Sequence, residues 1–125
     1  MKFRMEVLKI RQELYFHRAQ VVKALAHPLR LAIIDLLSAD EERCVCELVE
    51  ALDYDQPSLS KHLAILKNAG VVTSRRDGTK VLYQLCTPCI KNFFDCIDRV
   101  LRTDLKNKEQ GLAALTMPED EVENN

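Results

Sequence analysis

The amino-acid sequence predicts a mainly helical domain that carries one β-hairpin. Apolar residues recur every three or four positions through most of the chain, and a single β-prone stretch, residues 71–85, surrounds the dipeptide Asp77-Gly78. The first pattern places apolar side chains on one face of a helix, and Asp-Gly tolerates the positive φ angles of a tight hairpin turn. A length of 125 residues suits one domain with a modest core.

Three helices are predicted in the first half of the chain. The first spans about residues 5–25, where apolar residues recur at helical spacing. Pro28 begins the second, because its missing N–H would be unpaired in a first turn, and the apolar stripe continues to Leu37. After the polar segment SADEER, Val45 to Leu52 form a short third helix.

The second half adds a helix, the hairpin and a last helix. Pro57 begins a fourth helix over residues 57–69, with Leu59, Leu63 and Leu66 on its core side and Gly70 as a left-handed cap. The hairpin follows, and the last helix runs from Pro88 to about Lys106. Two short helices joined by a tight polar turn and followed by a hairpin are typical of a winged helix-turn-helix, whose second helix enters the major groove.

The domain organisation follows from these elements. Residues 1–107 are expected to form one DNA-binding and dimerisation domain, a homodimer paired through its first and last helices, and residues 108–125 a disordered acidic tail. No apolar run approaches the roughly 18 residues of a membrane span, and the first residues do not read as a signal peptide. We expect a cytoplasmic protein without a membrane partner.

Charge is segregated along the chain. Residues 35–55 carry eight acidic residues and one basic residue, a net charge of −7, whereas residues 56–80 carry a net charge of +4. A local basic block in an otherwise acidic chain suits a phosphate-binding surface. The partner that this surface predicts is double-stranded DNA.

The candidate DNA-binding residues come from the fourth helix and the hairpin. The helix N-terminus and Lys61 suit phosphate, and Gln56 suits a bidentate adenine contact. Basic residues beside the hairpin tip would lie along the DNA backbone and give salt-dependent affinity. The predicted set is Gln56, Ser58, Ser60, Lys61 and His62 in the helix, with Arg75, Arg76 and Lys80 in the hairpin. His27 is expected to be a helix-entry or packing residue.

Three segments together resemble one family. They are ALAHPLRLAIIDLLS, CVCELVEAL and QPSLSKHLAILKNAGVVTSRRDGTKVLYQL, and they resemble the ArsR/SmtB metalloregulatory repressors over about residues 20–100. The resemblance implies a homodimeric winged helix-turn-helix protein that leaves its operator when an inducer binds, usually a metal ion. CVC followed by an acid and Leu resembles the arsenite-sensing signature, but Val49 stands where such sensors place a further cysteine.

The cysteines are the candidate ligands of that inducer. Cys44 and Cys46 would lie on either side of the apolar stripe of the third helix, so neither is expected in the core, and one ion could join them only if the first turn distorts. Cys86, Cys89 and Cys96 are the candidates for a third ligand. A cysteine-only site favours soft ions: As(III) or Sb(III) first, then Cd(II), Pb(II), Hg(II) and Cu(I). DNA binding itself is expected to need no cofactor.

Two alternatives remain open on these residues. The same repressor could instead sense oxidation or persulfidation by linking a cysteine of the third helix to one of the last helix. CTPC, residues 86–89, could alternatively serve a small thiol oxidoreductase, although that motif needs a βαβ surround that the chain does not offer. The preferred hypothesis is a repressor, not an enzyme.

Overall fold

The computed structural model describes the backbone of residues 2–116 and the side chains of residues 4–110. The elements in chain order are α1 (Lys2–Leu25), α2 (Pro28–Leu36), β1 (Arg43–Cys44), α3 (Val45–Leu52), α4 (Gln56–Asn68), β2 (Val72–Asp77), β3 (Lys80–Leu85) and α5 (Ile90–Thr116). The chain divides into two compact units. Met1–Pro88 contains α1 through β3, and Cys89–Asn125 contains α5. The predicted mainly helical winged helix-turn-helix is confirmed.

The helix-turn-helix is formed by α3, α4 and the short turn between them. Asp53 ends α3 in the left-handed conformation, with φ 53°, and its N–H donates to the carbonyl oxygen of Val49. Asp55 then caps α4, since its side chain accepts a hydrogen bond from the N–H of Ser58, and Pro57 lies in the first turn. The C-cap of α3 and the N-cap of α4 therefore lie within three residues, which forces a sharp change of direction.

The C-terminus of α4 is closed by Gly70, as predicted. Gly70 adopts φ +82°, its N–H donates to the carbonyl of Lys67, and the N–H of Val71 donates to the carbonyl of Leu66. These two bonds form a Schellman motif, which satisfies carbonyls that the helix would leave unpaired. The motif directs the chain from α4 straight into β2.

The wing, residues 72–85, is the predicted hairpin. β2 and β3 pair antiparallel from Val72 opposite Leu85 to Asp77 opposite Lys80, and Gly78 takes φ +63° in the turn. A third strand, β1, was not predicted: it pairs with the outer side of β3, giving the order β1-β3-β2, with Cys44 opposite Leu82. Two residues are too few to show a strand periodicity, so this strand has no sequence pattern of its own.

The core of the first unit joins α2, α3, α4 and β2. The side chains that are fully buried are Ile33, Ile34, Leu37, Leu48, Leu59, Leu63, Leu66 and Val72. Helical periodicity assigned most of these residues to inward faces but did not include Ile34, and Val72 of β2 closes one side. This packing fixes the outer face of α4, because its inner leucines have no exposed surface.

The last helix is longer than predicted. It was expected to end near Lys106 with a disordered tail from residue 108, but α5 continues to Thr116, so the tail assignment is wrong for residues 108–116. Gly111 costs a helix only about 1 kcal/mol, and the leucines and alanines that follow it are the strongest helix formers. The remainder of the predicted tail, residues 117–125, lies outside the described residues.

The two terminal helices expose their apolar residues in the single chain. In α1 the side chain of Phe16 is 60% exposed, and in α5 that of Val100 is 68% exposed. Other exposed apolar residues of these helices are Leu8, Leu14, Val21, Val22, Leu101 and Leu105. Over the described part of the chain, no helix is long and apolar enough to span a membrane.

Candidate DNA-reading surface and thiol site

The N-terminal half of α4 forms the first part of the candidate DNA-reading surface. Gln56, Ser60 and Lys61 are exposed, whereas Ser58 and His62 are partly buried. Leu59 and Leu63 are fully buried between them, so the helix presents its polar side outward. The structure thus brings the five predicted α4 residues to one end of one helix.

Asp55 changes what the start of α4 offers to a phosphate. Its Oδ2 accepts the N–H of Ser58 at 3.0 Å. The same backbone hydrogen bond is the main reason that the pKa of Asp55 lies below its ordinary value, and the nearby Lys61 lowers it further. A carboxylate therefore already occupies the helix N-terminus, and the positive group left for phosphate is the exposed Lys61.

His62 points towards α2 and makes two contacts with it. Its Nδ1 lies 3.2 Å from an Nη of Arg30, and its ring centroid lies 4.3 Å from that of His27. His27 is the N-cap of α2, as expected of a helix-entry residue, because its Nδ1 accepts the N–H of Leu29 at 3.0 Å. Burial is the largest cause of a lowered pKa at His62, with His27 and Arg30 contributing.

The wing carries the second part of the surface. Arg76 and Lys80 are exposed near its tip. Arg75 instead forms a bidentate ion pair with Glu42, with Nε to Oε2 at 2.6 Å and Nη2 to Oε1 at 2.8 Å. This pair lowers the pKa of Glu42 and raises that of Arg75. Of the three predicted wing residues, one is therefore already held by a carboxylate from the segment before β1.

Cys44 lies in a different position from the one predicted. α3 begins at Val45, so Cys44 belongs to β1 and is the N-cap of the helix, with extended backbone angles. It is buried, with 3% of its surface exposed, and the expectation that it misses the core is wrong. Only Cys46 lies within the helix, and it is exposed. The helical projection failed because it treated both cysteines as helical.

The backbone around Cys44 holds its sulfur at the start of α3. The N–H of Glu47 donates to Cys44 Sγ at 3.3 Å, and the N–H of Cys44 donates to Glu47 Oε1 at 3.2 Å. This reciprocal pair is a capping box with sulfur in the place of a hydroxyl oxygen. Because Cys44 is outside the helix, its sulfur and that of Cys46 meet, and they are joined as a disulfide with 5.3 Å between the two Cα atoms.

A pocket joins the thiol pair to both parts of the DNA-reading surface. Its volume is about 230 Å³. It is lined by Cys44, Val45 and Cys46 at the start of α3, Gln56 at the start of α4, and Thr79, Lys80 and Val81 in the wing. The sulfurs therefore share one cavity with two of the predicted DNA-binding residues.

The three other cysteines are free and exposed. Cys86 follows β3, four residues after Leu82, the register partner of Cys44, so roughly 13 Å of extended chain separates Cys86 from Leu82. Cys89 and Cys96 belong to the unit that contains α5. Among the residues that the structure describes, no three His, Cys, Asp or Glu side chains are grouped to hold a metal ion.

Three residues of the site were missed at the sequence level. Glu47 had a recognisable signal, the spacing of a capping box three residues after Cys44. Arg30 and Glu42 had none, because their partners His62 and Arg75 lie 32 and 33 residues away in the chain. Contacts of that range depend on the packing of α2 on α4 and of β1 on β3.

Comparison with known proteins agrees with this architecture. The family model described as "Bacterial regulatory protein, arsR family" matches residues 27–74. The transcriptional repressor SmtB of Mycobacterium tuberculosis is 53% identical over 66 residues, which are 53% of this chain and 48% of that protein. The arsenical resistance operon repressor of Staphylococcus xylosus is 36% identical over 107 residues, covering 86% of this chain and 97% of that protein.

A solved structure shows the same fold. It is a homodimeric winged helix-turn-helix DNA-binding domain from Mycobacterium bovis, described as a possible ArsR-family regulator, with a TM-score of 0.64 and 33% identity. The match covers 78% of this chain and 89% of that one. The fold is that of DNA-binding regulators, and these relatives are DNA-binding regulators and not enzymes. The oxidoreductase alternative is therefore wrong. Together with the α4 surface and the wing, these matches show that the chain belongs to the ArsR/SmtB family of DNA-binding transcriptional regulators.

Proposed function

We propose that this protein is a cytoplasmic, homodimeric repressor that holds operator DNA with α4 and the wing and releases it when a thiophilic ion binds Cys44 and Cys46. The observation that carries the proposal is the pocket that the two sulfurs share with Gln56 and Lys80. An ion bound there touches both parts of the DNA-reading surface at once. DNA binding itself needs no cofactor in this scheme.

The DNA side of the proposal rests on exposure and charge. Gln56, Ser60 and Lys61 offer hydrogen bonds from α4, and Arg76 and Lys80 offer positive charge from the wing. In a winged helix-turn-helix the helix reads base edges in the major groove while basic wing residues neutralise phosphates. Ser58 and His62 are partly buried, so in this arrangement only the exposed part of each side chain can contact DNA.

The dimer rests on the apolar surface of the terminal helices. An α1 residue such as Phe16 or an α5 residue such as Val100, each more than half exposed in the single chain, would be buried against a second copy. The related M. bovis domain is homodimeric. Two copies would place two α4 helices on two half-sites of one operator. Because the two contacts are linked, the dimer binds the operator more tightly than one subunit binds one half-site.

The inducer is argued from the donor set. A thiol reductant must first supply two electrons and two protons to the disulfide, which gives two neighbouring thiols and leaves the reductant oxidised to its own disulfide. These thiols can then hold one soft ion between them, and Cys46 is exposed to incoming solute. As(III) or Sb(III) is favoured, followed by Cd(II), Pb(II), Hg(II) and Cu(I). As(III) is satisfied by three thiolates, so Cys86, Cys89 or Cys96, from the same or the second subunit, is proposed to complete the site.

Release follows from the position of Cys44 between two elements. On one side Cys44 pairs with Leu82 of β3, and on the other it caps α3, which packs on α4. An ion held between the two reduced sulfurs changes their separation from that in the disulfide and so shifts the first turn of α3 against both. If the ion binds this shifted form more tightly, the affinity for DNA must fall by linkage.

The test is operator binding by the reduced protein, measured by fluorescence anisotropy on a duplex that the protein has selected from random sequence. Arsenite, antimonite, cadmium and zinc are added in turn to the wild type and to Cys44→Ser/Cys46→Ser. We expect a soft ion to weaken binding by the wild type, about 5- to 150-fold for a coupling of ordinary size. A double variant that still responds fully would refute the thiol site, and an unresponsive wild type would refute ion sensing.

A second candidate is favoured by the Cys44–Cys46 disulfide itself. Hydrogen peroxide can take two electrons and two protons from the two thiols, which leaves one disulfide and two molecules of water. The linkage lies within CVC rather than between α3 and the last helix, which was the form expected from sequence. Peptide mass spectrometry after peroxide treatment separates the two linkages, and operator binding before and after treatment tests whether oxidation is the trigger.

A further inference from the structure

His62 is the one predicted DNA-binding residue of α4 whose ring is held by side chains of another helix. One Nη of Arg30 lies 3.2 Å from His62 Nδ1, and the His27 ring lies 4.3 Å away, tilted by 41°. Both contacts come from the start of α2. Ser60 and Lys61 of the same helix are exposed, whereas His62 is partly buried.

The Arg30 contact determines where the His62 proton lies. A guanidinium has only N–H donors and stays protonated at all physiological pH values, so His62 Nδ1 must accept with its lone pair. The proton of the neutral ring is then on Nε2, which points away from Arg30 because the two nitrogens lie on different sides of the ring. His27 is fixed in the same way, since its Nδ1 accepts the N–H of Leu29.

The surroundings also favour the neutral ring. Burial lowers the pKa of His62, and the facing His27 and Arg30 lower it further. A protonated His62 would lose its acceptor at Nδ1 and would place a positive charge against Arg30. His62 is therefore a neutral side chain with one donor, Nε2–H, at a defined position on α4.

We propose that Arg30 is a positioning residue that presents His62 to operator DNA as a neutral Nε2–H donor, which reads an acceptor atom on a base edge. The inference rests on DNA binding through α4 and not on ion sensing. The acceptors that the major groove offers are purine N7, guanine O6 and thymine O4. A neutral donor discriminates between base edges, whereas a charged ring would bind any phosphate.

Arg30 is not held in place by a complete set of its own hydrogen bonds. Its Nε is buried and, within the described part of the chain, has no acceptor. A buried donor without a partner destabilises the folded state, so replacing the guanidinium by an apolar chain of similar length removes that cost along with the His62 contact. Arg30→Met should therefore fold at least as stably as the wild type, which separates positioning from stability.

The first arm of the test needs no DNA. Two-dimensional NMR that correlates the ring nitrogens of histidine with its carbon-bound protons is recorded on the reduced, full-length protein. We expect the Nε2–H tautomer at His62 in the wild type and a mixture of tautomers in Arg30→Met, with an equal or higher Tm for that variant. An Nδ1–H tautomer in the wild type, or an unchanged tautomer in Arg30→Met, would overturn the inference.

The second arm uses the selected duplex with single purines replaced by their 7-deaza analogues and single thymines or guanines replaced by bases lacking O4 or O6. We expect one position at which the wild type loses about 2- to 13-fold in affinity, the range for one lost neutral hydrogen bond. His62→Gln, whose amide nitrogen lies near the Nε2 position, should retain that preference, and His62→Ala and Arg30→Met should lose it.

The outcomes separate this inference from the proposed function. A duplex bound with no position that depends on His62, or Arg30→Met weakening all positions equally, would contradict the base contact alone. A protein that selects no duplex would contradict operator binding and the base contact together. Ion sensing has no influence on either arm, because both are performed on reduced protein without added ions.

Discussion

Cys44 has two roles at one backbone position. Its sulfur accepts the N–H of Glu47 and so caps α3, and the same sulfur is the buried member of the thiol pair. Serine is among the best N-cap residues, whereas alanine there typically costs about 1 kcal/mol. Cys44→Ser is therefore the variant that removes the thiol while keeping the helix, and a loss of response in Cys44→Ala alone would be ambiguous.

The ion pair between Arg75 and Glu42 leads to a prediction about salt. Glu42→Gln removes the carboxylate that holds Arg75, so the guanidinium becomes free to contact a phosphate. We expect the slope of log affinity for operator DNA against log salt concentration to steepen by about one, as for one added phosphate contact. The measurement is a salt titration of operator binding by anisotropy.

The matched control for this variant is Glu41→Gln. It changes the charge by the same amount at the neighbouring exposed residue. If both variants steepen the slope equally, the effect is one of net charge and Arg75 is not released. An unchanged slope in Glu42→Gln would mean that Arg75 does not reach the DNA.

At the residue scale, the sequence predicted exposure better than partnership. Gln56, Lys61 and Arg76 are exposed as a basic or polar face requires. The roles of Arg75 and His62 were incomplete, because each has a partner more than 30 positions away in the chain. Cys44 was misplaced for a local reason: the helical projection was extended to Cys44, although this residue is the N-cap and the helix begins at Val45.

The two ends of α4 govern how the reading helix is presented. At its start Asp55 accepts the N–H of Ser58, and the pKa of Asp55 is lowered mainly by that bond. A carboxyl group whose pKa falls on folding stabilises the folded state at pH values above its pKa in the unfolded chain, which is 3.8 here. This stabilisation is lost as the pH falls through the lower pKa of the folded state.

Asp55→Asn tests this electrostatic contribution, because asparagine also caps a helix but carries no charge. We expect the wild type to have the higher Tm at neutral pH, with the difference closing as the pH falls below about 3.8. Calorimetry between pH 3 and 7 measures it. A difference in Tm that stays constant with pH would show that the charge of Asp55 is not what stabilises the helix.

Gly70 leads to a prediction at the other end of α4. A Cβ at this position would meet no atom within 4 Å, so only the left-handed φ of +82° opposes a side chain. We expect Gly70→Ala to lower the free energy of unfolding by about 1 kcal/mol and Gly70→Asn by less, since asparagine tolerates this conformation. Urea denaturation of the three proteins checks the order, and an alanine variant as stable as the wild type would contradict it.

At the element scale, strong end signals made the prediction accurate. α4 was expected over residues 57–69 and spans Gln56–Asn68, because Pro57 and Gly70 mark its ends. β1 was missed because two residues have no periodicity, and α5 was predicted to end near Lys106, ten residues before its end at Thr116. Local sequence thus determines elements with capping residues and fails where pairing or cumulative propensity decides.

At the scale of the whole molecule, the terminal helices lead to a prediction about assembly. Phe16→Glu in α1 combined with Leu101→Glu in α5 places charges in the proposed dimer interface, where both side chains are exposed in the single chain. We expect a monomer in analytical ultracentrifugation and a large loss of operator affinity, because one subunit reaches only one half-site.

A control for assembly changes polar residues of α5 on the side of the helix opposite Leu101. Asn92 and Gln110 are exposed, and each is nine residues from Leu101, about 180° around the helix, so Asn92→Glu/Gln110→Glu adds the same charge away from that side chain. This protein should remain a dimer. A Phe16→Glu/Leu101→Glu protein that is still dimeric would place the interface elsewhere.

The proposed switch requires that ion binding at the thiol pair and DNA binding at the DNA-reading surface are thermodynamically coupled. Coupling between two binding sites is reciprocal, so DNA must weaken ion binding by the factor by which the ion weakens DNA binding. The pocket lined by Cys44, Cys46, Gln56 and Lys80 is the physical basis for that coupling. Reciprocity therefore tests the link itself rather than either site alone.

The most direct measurement is the affinity of the reduced dimer for arsenite by isothermal titration calorimetry, with and without saturating operator duplex. We expect operator DNA to weaken arsenite binding by the same factor that arsenite weakens operator binding in anisotropy, about 5- to 150-fold. The Cys44→Ser/Cys46→Ser dimer should show neither effect. Arsenite binding to the wild type with the same affinity in the presence and absence of DNA would contradict the proposed switch.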